Sequence, residues 1–119
     1  MTGPAAPRPR TRADRFLVSA GIVKLALQQM RDELTGTISA PDLARVLCEL
    51  HDEDHRQDGV FGALAQLLTA AAHAAARIEP DRDGAISCPL HEAAALITET
   101  AGLQIHYATR VLDPQGEAV

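Results

Sequence analysis

Two stretches decide how this chain is to be read: ELTGTISAPD (Glu33–Asp42) and PDRDGAISCP (Pro80–Pro89), which superpose at an offset of 48 residues. Both spell acidic-x-x-Gly-x-Ile-Ser-x-Pro. A glycine tolerates the left-handed backbone just past a helix end, a serine accepts from free N–H groups at a helix start, and proline belongs in a first turn. The phrase therefore joins one helix to the next, and its doubling divides the chain into two helix-loop-helix halves.

Working outward, apolar spacing supplies the helices. Phe16, Ala20, Val23, Leu27, Met30 and Leu34 follow 4-3-4-3-4, one apolar seam on a helix from about Asp14 to Glu33, which Gly36 stops. Ser39 to Asp42 forms a capping box with Pro41 in the first turn, and Leu43, Val46, Leu47 and Leu50 give the second helix its inward face. That helix dissolves into HDEDHRQDG (His51–Gly59), a charged connection. The third helix runs from about Val60 to Ile78. Phe61, Leu64, Leu67 or Leu68, Ala71, Ala75 and Ile78 lie on one face, and the opposite face is largely alanine, open to close approach by a neighbour. A fourth begins with Ser87 as N-cap and continues through Leu90, Ala93, Ala94, Ile97 and Ala101 to a weakening at Gly102. Leu103–Leu112 reads two ways, as a half-buried strand alternating at Ile105, Tyr107, Thr109 and Val111 or as a continuation of the fourth helix. The expected fold is all-α: four main helices as two helix-loop-helix repeats, with room for a short β pairing of the two loops. Residues 1–13 read as a disordered basic arm, 14–112 as a single helical domain and 113–119 as a tail.

Composition narrows the function. The 119 residues are 46% hydrophobic with one tyrosine, two phenylalanines and no tryptophan, so the core must be aliphatic. No run of 18 apolar residues spans a membrane. Phe16–Leu27 is interrupted by Lys24 and lacks a cleavage pattern, so it does not read as a leader, and two cysteines without one place the chain in a reducing cytoplasm. Residues 1–15 carry a local +3. The other 104 carry seven basic and fifteen acidic side chains, a local −8, and a nucleic-acid reader would need a basic face. The arm itself, with Arg8, Arg10 and Arg12, could touch a polyanion.

The paired loops resemble a degenerate pair of EF-hands over about Asp14 to Leu103. In that family a twelve-residue loop sets oxygen ligands at positions 1, 3, 5, 7, 9 and 12, with glycine at 6. Aligning Gly84 at position 6 puts Glu79, Asp81 and Asp83 at 1, 3 and 5, Ile86 at 8 and Ser87 at 9. The resemblance thus implies a calcium loop at 79–90 held by Glu79, Asp81, Asp83 and Ser87. Leu90 stands where the bidentate glutamate belongs, which implies an affinity of about 10⁻⁴ M or poorer. The first loop sets Arg31 at position 1, a cation where a ligand should be.

A zinc set is the other metal alternative. Cys48 and His51, like Cys88 and His91, are cysteine-x₂-histidine pairs, and together they would make a Cys₂His₂ site. HDEDH (His51–His55) is not the zinc-protease motif, since Asp52 replaces its glutamate. No nucleophile elbow, phosphate loop or dinucleotide fingerprint is present, so no enzyme is read here. The reading that ranks first is a non-enzymatic helical interaction module that binds a protein partner or a second copy. The Phe16–Leu34 seam and the alanine face of the third helix are its expected surfaces. The metal-responsive binder, of calcium or of zinc, ranks second.

Overall fold

A computed structural model describes residues 11–79 and 83–114, and the basic arm lies almost wholly outside them. The chain divides into two compact units, Met1–Thr37 and Ile38–Val119. No helix among the described residues is long and apolar enough to cross a membrane.

The first unit contains α1 (Arg12–Glu33). Its start is two residues earlier than expected because Thr11 and Asp14 close a reciprocal capping box. Thr11 Oγ1 accepts from the Asp14 N–H at 3.0 Å, and Asp14 Oδ2 accepts from the Thr11 N–H at 3.2 Å. Leu34 caps the C-terminus, Thr35 turns its hydroxyl onto the Asp32 carbonyl, and Gly36 takes φ 85°. No residue of α1 is buried.

The second unit opens with α2 (Ala40–Leu50), where Ser39 Oγ accepts from the Asp42 N–H and Pro41 occupies the first turn; the expected capping box is half formed, since Ser39 N–H has no bond to the Asp42 side chain. Leu43, Val46, Leu47 and Leu50 are half-buried around a buried Ala44. Then come α3 (Val60–Ile78), α4 (Ser87–Ala95), a π-helical turn (Leu96–Ala101) and α5 (Gly102–Leu112). The last three form one unbroken helical run. The backbone stays right-handed helical at both junctions, and the Gly102 N–H reaches back five residues to the Ile97 carbonyl. The result is an all-α fold of four helices.

Leu103–Leu112 is therefore helix rather than strand. In a helix its backbone groups satisfy one another, whereas a lone strand needs a partner, and no strand occurs among the described residues. For the same reason the two loops do not pair as β. Each turns on a left-handed glycine, Gly36 or Gly84 at φ 80°.

The core is alanine. Ala72 and Ala75 of α3 are buried, as is Ala94 of α4, and α3 packs along α4 and the π-turn while α2 packs on α5. Small side chains let two helix backbones draw close, so Ala72 and Ala75 of α3 are consumed inside the unit, while Ala63, Ala70, Ala74 and Ala76 are exposed. The larger residues expected to face inward divide, with Phe61 and Leu68 half-buried and Leu64, Leu67 and Ile78 open. Val60, Leu64, Leu67 and Ile78 are exposed along one stripe of α3, Ile78 at 75%.

Candidate functional site

The second loop answers the question that the doubled phrase poses. Glu79 follows α3 directly and is buried. Its Oε1 accepts from the Ile86 N–H at 3.0 Å and from the Ser87 N–H at 2.5 Å, while Oε2 accepts from the Gly84 N–H at 3.0 Å. These donors belong to the loop and to the first residues of α4, N–H groups that a helix start leaves without intrahelical partners. The carboxylate caps α4 from eight residues upstream, where the partial positive charge of a helix N-terminus favours an anion. The Ser87 N–H foremost, with burial opposing, holds the Glu79 carboxyl below its ordinary pKa.

That geometry sets the calcium residues in different roles. Glu79 presents its oxygens to N–H donors, the polarity that an anion seeks. Ser87 is the buried first residue of α4 rather than its N-cap, and Ile86 takes the cap position with no side-chain bond. Asp83 Oδ1 accepts from the Ala85 N–H at 3.0 Å in a local turn. Asp81 lies outside the described residues.

The zinc residues are dispersed: among the described residues no three His, Cys, Asp or Glu side chains converge where a metal ion could be held. Cys48 and Cys88 are both exposed. His51 has the opposite fate. At 2% exposure it is the largest fully buried side chain among the described residues, at the root of a segment that reads as solvated. Its Nε2 donates to Glu53 Oε1 at 2.7 Å, which leaves Nδ1 as a buried nitrogen with no partner among the described residues. Glu53 Oε2 accepts from Arg56, so one carboxylate ties the buried ring to the far side of the turn. The hydrogen bond from His51, then that from Arg56, lowers the Glu53 pKa.

Three glycines make room for this turn. A Cβ on Gly59 would stand 2.7 Å from the Leu50 carbonyl oxygen, and one on Gly62 would stand 2.8 Å from the Gln57 carbonyl carbon. On Gly102 it would stand 2.5 Å from His51 Nδ1 and 2.9 Å from Nε2. Gly102 is thus the notch in α5 that receives the imidazole, and the π-turn ends directly before it. Sequence reasoning saw Gly102 only as a weak point; a lone glycine within an apolar helical pattern is the signal that could have found the notch. Beside it, between α2 and α5, an open cleft of about 870 Å³ is lined by Asp42, Glu49, Asp52, His106 and Arg110 among others.

The large apolar side chains of α1 are exposed. Phe16 and Val23 are 54% and 55% exposed, and Leu27, Met30 and Leu34 of the same seam are open as well. Val18, Ile22 and Leu25 form a second, shorter stripe on another side of the helix, also exposed. A helix apolar round most of its middle is one that normally becomes buried. Comparison of the chain with protein-family models, with curated proteins and with solved structures finds no match.

Proposed function

We propose that this protein is a self-associating helical interaction module in which α1 of one copy pairs with α1 of a second. The observation that carries this is the 22-residue α1 itself, which has a complete apolar seam and no buried residue. The seam spacing of alternating fours and threes is that of the a and d positions of a two-helix coil, maintained from Phe16 to Leu34. Charge selects an antiparallel pair. Arg12 and Arg15 with Asp14 leave one end of α1 net positive by one, and Asp32 and Glu33 with Arg31 leave the other net negative by one, so reversal sets a weakly basic end beside a weakly acidic one and aligns opposed helix dipoles.

The magnitude is moderate. Covering the open part of five seam side chains contributes about 1 kcal/mol each, or about 10 kcal/mol for two chains. Loss of free motion on association opposes this by about 4–15 kcal/mol. The pair should accordingly form and dissociate with concentration rather than stay permanently locked.

Leu27→Glu tests the reading. It inserts a charge at the seam centre while keeping a good helix former. By light scattering after size exclusion, the native chain should run as a dimer and the variant as a monomer of unchanged helix content. A native chain that stays monomeric until mixed with an unrelated helical protein would instead favour a heterologous partner.

A further inference from the structure

We propose a surface site for a borderline divalent metal ion of the zinc class, made by His73 of α3 and His91 of α4. Of the zinc residues expected from sequence, His91 does meet another metal-ligating side chain, but across space rather than along the chain. Its ring centre lies 5.4 Å from that of His73, with the planes inclined at 62°. Two imidazoles bound to one tetrahedral ion, with metal–nitrogen bonds of about 2.0–2.1 Å, hold their ring centres about 5 Å apart. The ring spacing, also that of an edge-to-face contact, is thus compatible with both side chains binding one ion.

The other histidines are arranged differently. His51 is tied to Glu53, His55 leans on Asp52, and His106 is in ring contact with its neighbour Tyr107. Neither His73 nor His91 has a hydrogen bond or ion pair among the described residues, so their lone pairs are available. Both residues are exposed. His73 also borders an open groove of about 470 Å³ with Gln66, Thr69 and Thr98, which gives the ion a solvent route. Imidazole nitrogen suits zinc, copper and nickel and not calcium. With two protein ligands, water completes the ion's coordination. Such an ion would brace α3 against α4 on either side of the loop that Glu79 holds, independently of how α1 associates.

The test is a titration of the intact chain with zinc chloride, read by the proton–carbon correlations of the histidine rings. The His73 and His91 resonances should shift together and saturate at one equivalent, ahead of those of His55 and His106. In His91→Gln the response of His73 should move to at least about tenfold higher zinc, since even outer-shell losses at metal sites cost 10–100-fold in affinity. His73→Gln should do the same to His91. A His73 response unchanged in His91→Gln would overturn the site, as would rings that move only after the other histidines have saturated.

Discussion

Replacing Gly102 by alanine sets two effects of opposite sign against each other, and the structure decides between them. Intrinsic helix propensity favours alanine over glycine in a helix interior by about 1 kcal/mol. Against it, the new methyl would lie within 3 Å of both ring nitrogens of His51. The ring is a rigid part of its side chain and is tied to Glu53 at 2.7 Å, so it cannot swing aside without breaking that bond. Overpacking a filled site costs about 1–3 kcal/mol, and the crowding by a whole ring edge belongs at the upper end. Gly102→Ala should therefore destabilise by about 2 kcal/mol net, a fall of about 10 °C in melting temperature for a domain of this size. The assay is urea unfolding in a double-mutant cycle with His51→Ala. With the ring gone, the same glycine-to-alanine change should stabilise by about 1 kcal/mol, since only propensity remains. An alanine variant as stable as the native chain, or a substitution of the same sign in both backgrounds, would refute the notch.

Two further outcomes follow from the loops. Glu79→Gln should destabilise the fold at neutral pH, because a carboxylate shared by three N–H donors becomes a neutral amide. The folded pKa of Glu79 lies below its ordinary 4.5, so its contribution is whole above that value and is lost as pH falls through the folded pKa. The gap between native and Glu79→Gln in urea unfolding should be constant near pH 7 and shrink below pH 4.5; a gap that widens in acid would contradict the cap. Gly36→Ala and Gly84→Ala each force alanine into the left-handed region, at about 1–2 kcal/mol. Gly36 has nothing within 4 Å of the added Cβ, whereas at Gly84 the Cys88 sulfur lies 2.5 Å away. Gly84→Ala should lose more by thermal melting, and equal losses would mean that Cys88 turns aside freely.

Local chemistry was plain in the residues wherever a few neighbours determine it. Gly36, Ser39 and Pro41 announce the end of α1 and the start of α2, and the structure places them so. The doubled phrase misled in its second copy because the deciding residue lies outside it. At the offset of 48, Arg31 corresponds to Glu79, and only the glutamate reaches the N-terminus of the next helix. Ser39 caps with its hydroxyl, while Ser87 is itself capped. His51 was illegible for a related reason: a histidine inside HDEDHRQDG reads as solvated until Gly59, Gly62 and Gly102 are seen to admit it. α5 could not be separated from a strand over ten residues, since Ile105, Tyr107, Thr109 and Val111 suit either period. Along the chain His91 pairs with Cys88; across α3 and α4 it meets His73. On α3, apolar size pointed Leu64 and Leu67 inward, but close helix approach selected the alanines.

We propose that a second copy covers the exposed apolar seam of α1. Native mass measurement of the intact, untagged chain across a concentration series tests it most directly. The account predicts a species of twice 12.7 kDa that grows with concentration and that Leu27→Glu removes. A mass of 12.7 kDa at every concentration would contradict it.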